Sequence, residues 1–124
     1  AVSIYMARNG KTIGEIKKYM IDNYYNIDFT LDEIRSTFPF DESCQGTVPQ
    51  SIVSFLESTD YDSAIRLAIS LGGDSDTIAC ITGSMAIAFY KEMPQVIVDK
   101  IRREYLPDAF VTIIDEFDLV YGNY

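Results

Sequence analysis

Apolar residues recur at helical spacing through most of this chain, and almost every such run opens on a residue suited to start a helix. In "IGEIKKYMIDNYY" the residues Ile13, Ile16 and Met20 share one face, and Thr12 with Glu15 forms the reciprocal start signal in which a hydroxyl and a carboxylate satisfy early backbone amides. Thr30 with Glu33 opens the short "LDEIRSTF". Thr47 with Gln50 is read as opening "VPQSIVSFLES", with Pro49 in the first turn, where its missing N–H has no partner to lose. Asp60 caps "YDSAIRLAISL", in which Ala64, Ile65, Ala68 and Leu71 recur and Gly72 supplies the stop.

Beyond Gly73, Ile78, Ile81, Met85 and Phe89 form one stripe, while Ala79, Gly83 and Ala86 line a second face small enough for another helix to approach. This pattern predicts a central helix from about Ser75 to Tyr90, the most buried of the chain. Pro94 and Pro107 begin two more helical patterns, "QVIVDKIRREYL" and "DAFVTIIDEFDLVYG". Two loops interrupt the series: "YNIDF", and "PFDESCQG" from Pro39 to Gly46, which is rich in turn formers and has no period. The opening "AVSIYMARNG" reads as the last turns of a helix without its cap, which implies that chain normally precedes it. No strand is required, and the expected fold is a single all-α domain over residues 1–124.

Composition narrows the chemistry. The 124 residues carry 10 Lys and Arg against 19 Asp and Glu, a formal charge of −9, so a nucleic acid or an anionic membrane is disfavoured as partner. Two cysteines make no disulfide framework; Cys80 falls in an apolar run and Cys44 in a loop without a basic neighbour, so both are read as packed thiols of a protein in a reducing cytoplasm. With no histidine, Ser/His and Cys/His nucleophile pairs are excluded and zinc loses its commonest ligand, which leaves oxygen chemistry.

That chemistry concentrates in "LGGDSDT". Asp74 and Asp76 stand two residues apart at the mouth of an apolar helix, beside Ser75, Thr77 and two glycines. Acidic and hydroxyl residues at a helix start cap amides and oppose the dipole, each worth about 0.3–2 kcal/mol. One cap would serve that purpose, and the second carboxylate repels the first unless a cation intervenes. Asp74, Asp76 and Thr77 are therefore candidate ligands of magnesium, manganese or calcium, and spacing alone leaves cap and metal both standing.

The stretches "GTVPQSIVSFLE" and "YDSAIRLAISLGGDSDTIACITGSMAIAFY" resemble the C-terminal part of the ADP-ribosylglycohydrolases, which remove ADP-ribose from proteins or small molecules. The likeness runs from Cys44 to about Pro94, and "AVSIYMARNGKTIGEIKKY" extends it more weakly. It implies a helical bundle whose cleft holds two magnesium ions that orient the ribose and a water. It also implies that Asp74, Asp76 and Thr77 are the C-terminal metal ligands, that Asp74 and Asp76 serve the catalytic step, and that Ser75 holds the turn. The family takes its other ligands from an N-terminal Thr-Asp-Asp motif, and this sequence contains no Asp-Asp pair. Half of the metal site is thus expected from a preceding half or another chain, with an ADP-ribosylated protein or small molecule as substrate. Alternatively the chain is an inactive helical remnant or interaction domain that self-associates as a homodimer.

The other candidates have plainer readings. In "STDYD" Asp60 is a cap and Asp62 a solvated carboxylate. The tyrosines, Tyr24, Tyr25, Tyr90, Tyr105, Tyr121 and Tyr124 among them, could stack on an adenine but suit the rim of a helical core. "KIRREY", Lys100 to Tyr105, could clamp a phosphate but also answers the dipole late in its helix.

Overall fold

The computed structural model describes residues 1–122, so Tyr124 lies outside the described residues. Among the described residues eight helices follow in order: α1 Val2–Arg8, α2 Ile13–Asn23, α3 Leu31–Ile34, α4 Cys44–Leu56, α5 Tyr61–Ser70, α6 Ser75–Tyr90, α7 Gln95–Glu104 and α8 Asp108–Tyr121. The described residues contain no strand, as the periodicity required. The chain divides into two compact units, Ala1–Glu92 and the segment from Met93 on.

In the first unit α6 packs against α5, α4 and α1, and α4 also meets α5 and α3. Its small-residue face allows this approach: a methyl group at Gly83 would lie 3.0 Å from Ile65 Cδ1 and 3.3 Å from the Tyr61 hydroxyl. The apolar core gathers Ile16 and Met20 of α2, Ile27 from the first loop, Leu31, Ile52, Val53 and Phe55 of α4, Ala64, and Met85 and Ala86 of α6. The helix with the most buried residues is α4 rather than α6: eight of its 13 residues are buried, against five of the 16 in α6. Most of the surplus is polar. Ser51 Oγ donates to the Thr47 carbonyl at 2.7 Å, Ser54 Oγ to that of Gln50 at 2.9 Å, and Thr82 Oγ1 reaches across from α6 to the Ser51 carbonyl at 3.1 Å. Hydroxyls that bond backbone carbonyls can be buried at little cost, which a hydropathy pattern does not register.

The start of α4 also departs from expectation. Its cap is Ser43, whose Oγ accepts the Gly46 N–H at 3.1 Å, so Cys44–Gly46 are helical rather than loop, and Thr47 lies inside the helix, where its hydroxyl donates to the Ser43 carbonyl. Pro49 consequently sits past the first turn and removes one intrahelical bond. Two features favour the earlier start: Asp41 accepts the Ser43 N–H at 2.8 Å, and the Asp41 side chain occupies the space a Cβ at Gly46 would need, 2.2 Å from its Cγ. Both cysteines are exposed, in contrast to the packed thiols expected. Cys44 is the first residue of α4, and Cys80 lies on the outer side of α6, where it and Ile81 line an open cavity of about 440 Å3 with Val2, Met20, Tyr24 and Val48.

The start signals at Thr12, Thr30 and Asp60 all form reciprocal capping boxes. At the first, Glu15 accepts the Thr12 N–H at 2.9 Å and pairs with Lys11 at 2.9 Å. The Thr12 backbone bond foremost, then the Lys11 bond, lowers the Glu15 carboxyl from 4.5 to about 2. A depressed carboxyl contributes stability above its unfolded pKa and loses it as pH falls toward the folded one. Glu15→Gln is therefore expected to be less stable than the parent above about pH 4.5, with the difference closing toward about pH 2; urea titrations across that range measure it. A constant difference over the whole range would show that the charge contributes nothing.

The second unit is a pair of amphipathic helices, and neither α7 nor α8 has a buried residue. Arg102 pairs with Asp115 and Lys100 with Glu104, while Arg103 donates to the Asp99 carbonyl. The basic cluster is thereby engaged within its own unit. No helix among the described residues is long and apolar enough to cross a membrane.

Candidate functional site

The chain reaches α6 through a turn that only glycine makes without strain. Gly72 and Gly73 both take the left-handed conformation, with φ of +71° and +60°, which costs another residue roughly 1–2 kcal/mol. A side chain at Gly72 would meet nothing within 4 Å, whereas one at Gly73 would fall 2.9 Å from Phe38 Cε1 and 3.2 Å from the Pro39 carbonyl oxygen. The first glycine thus serves the backbone and the second serves a close approach. A lone stop signal needs one glycine, so the pair was the available clue to Phe38 and Pro39, which the sequence reading missed.

Asp74 follows at the N-cap position of α6 with φ −79° and ψ 62°, and its side chain makes no capping hydrogen bond. That removes the plain explanation for the first carboxylate. Asp76, one residue into the helix, is held below the ordinary carboxylate range, first by a hydrogen bond with the Asp74 side chain, then by the backbone N–H of Thr77 and its own. The two acidic groups thus influence one another across the turn. Two neighbouring carboxylates that are both ionised repel, and a cation between them relieves that repulsion. Asp76 is exposed while Asp74, Ser75 and Thr77 are half-buried, and none of them lines the cavity beside Cys80.

The donor set is all oxygen: two carboxylates with the Thr77 hydroxyl one residue on. It fits a hard divalent cation and offers nothing to a soft one. Among the described residues no group of three or more His, Cys, Asp and Glu comes together, so the acidic part of the set is the Asp74–Asp76 pair. Asp60 accepts the Ser63 N–H at 2.7 Å and Asp62 pairs with Arg66 at 2.6 Å, which leaves both in the structural roles expected of them. Tyr90 donates to the Ser58 carbonyl at 2.7 Å and packs edge-on against Phe55 and Phe89, a rim role.

The sequence profile of the ADP-ribosylglycohydrolase family matches residues 6–122. A putative ADP-ribosyl glycohydrolase of Acanthamoeba polyphaga mimivirus is 36% identical over 107 residues, covering 74% of this chain and 32% of that protein. The chain thus spans about a third of the length of this curated relative. No solved structure matches it. Carrying the family's profile over nearly its whole length on an all-helical fold, the chain belongs to the ADP-ribosylglycohydrolase family.

Proposed function

We propose that the chain contributes the Asp74–Thr77 portion of a metal-dependent hydrolase that cleaves the glycosidic bond between ADP-ribose and its acceptor. One observation carries the metal part of this reading: Asp74 starts α6 without capping it, while a second carboxylate, Asp76, stands two residues on in the first turn. The helix dipole and the backbone amides suit one carboxylate, and a shared cation would account for the second. Asp74 and Asp76 would hold magnesium or manganese, with Thr77 supplying a third oxygen. The ion, when bound, supplies polarisation of ribose hydroxyls and a lowered pKa for a coordinated water.

The chain's own residues do the remainder. The left-handed glycines place both carboxylates at the start of α6, whose positive dipole end steadies the ionised pair. A carboxylate oxygen not engaged by the ion is suited to accept the proton of the attacking water. Magnesium and manganese take about six oxygens, so the set here is incomplete and the rest would come from water, substrate and a Thr-Asp-Asp segment. With this reading goes a partner: a complementary half of the enzyme or a second copy of the chain. Exposed Phe110, Ile113, Phe117 and Leu119 along α8 support that expectation, since apolar patches of this kind mark interfaces.

Titration of the 124-residue chain with manganese in a calorimeter tests the metal. Weak, millimolar-range binding is expected, lost in both Asp74→Ala and Asp76→Ala while their folded helical content stays that of the parent. If the parent gives no heat, or the variants bind as the parent does, the turn is structural only and the chain is better described as a helical interaction domain.

A further inference from the structure

We infer that Phe38, backed by Pro39, is a positioning residue for the carboxylate-bearing turn, holding Asp74 and Asp76 in register by pressing on Gly73. The inference rests on the proposed metal site for its consequence, though not for its geometry. Three observations converge on it. The turn has no packing of its own, because Gly72 and Gly73 lack side chains and space beside Gly72 is open. Asp74 makes no capping bond, so its side chain does not tie the turn to the helix start. Against the Gly73 backbone lie the edge of the Phe38 ring and the Pro39 carbonyl: a methyl group on Gly73 would fall 2.9 Å from Phe38 Cε1 and 3.2 Å from the Pro39 oxygen.

The clamp is anchored at its far side. Phe38 is half-buried and packs against the apolar core, and the segment after it is tied to the start of α4, where Asp41 accepts the Ser43 N–H at 2.8 Å and fills the space beside Gly46. The segment from Phe38 to Asp41 thus meets Gly73 at one end and the first turn of α4 at the other. Metal ligands depend on neighbours that fix their orientation, and loss of such a neighbour typically weakens binding by about 10–100-fold. Phe40, two residues on and 66% exposed, makes no comparable contact and serves as the control.

The test uses the full chain and two readouts. Hydrogen exchange follows the Ile78 amide, which bonds the Asp74 carbonyl at 3.1 Å, against the Glu57 amide at the end of α4. Manganese titration follows the site itself. In Phe38→Ala the Ile78 amide should exchange several-fold faster while that of Glu57 is unchanged, and manganese should bind roughly tenfold more weakly. Phe38→Leu should restore most of both, and Phe40→Ala should alter neither. Unchanged exchange at Ile78, or acceleration at Ile78 and Glu57 alike, would overturn the inference, the latter by showing loss of core packing alone. Faster exchange at Ile78 in a chain whose parent binds no manganese would uphold the clamp and refute the metal reading.

Discussion

Purified by itself, the 124-residue chain is expected to release ADP-ribose from a modified substrate at a rate close to the uncatalysed one. The proposed chemistry would need water, ribose and metal held together, and such orientation is worth roughly 7–11 kcal/mol of the barrier. The chain offers one pair of carboxylates and no Asp-Asp segment, so it can meet only part of that requirement. Addition of a polypeptide bearing the family's Thr-Asp-Asp half should bring turnover up by orders of magnitude, and Asp76→Ala in this chain should remove the gain. Assay of released ADP-ribose with and without the complement decides it. Robust turnover by the chain alone would contradict the half-site argument and require another acidic group, Asp60 or Asp62, to leave its present partner.

The second large effect is on stability. Phe55 is fully buried in α4, its ring set edge-on to Phe89 at 5.5 Å and to Tyr90 at 6.4 Å. Replacing it by alanine removes the largest fully buried side chain and opens a cavity against α6, for an expected loss of about 3–5 kcal/mol. Since small domains are stable by only about 5–15 kcal/mol, Phe55→Ala should leave a substantial unfolded population. Phe55→Leu retains most of the volume and should cost about half as much or less. Urea denaturation measures both, and a loss for Phe55→Ala below about 1 kcal/mol would mean that α4 and α6 do not pack through this ring.

These two expectations draw on the sequence in unequal measure. The helices themselves were legible in it, because a helix is a local object: its period, its capping hydroxyl and its stop glycine lie within a few residues of one another. Thr12, Thr30 and Asp60 cap as read, Ile16 and Met20 face the core, and no strand intervenes among the described residues. The acidic turn could be picked out as a candidate site for the same reason, with Asp74, Asp76 and Thr77 close together in the chain. The start of α4 was misplaced because two rival caps, Ser43 and Thr47, stand four residues apart. What selected the first was the Asp41 bond to Ser43 and the tight fit at Gly46.

The burial of hydroxyls in α4 and the exposure of both cysteines likewise depend on which neighbour each helix face meets, and that neighbour is fixed by pairings across dozens of residues. Thr82 is buried because Ser51, 31 residues away, offers it a carbonyl. The same holds at the site. Sequence determined which oxygens stand at the turn and the glycines that bend it. Tertiary structure alone decided that Phe38 closes on Gly73, because a contact between distant segments is set by the packing of whole helices and leaves no period in the chain.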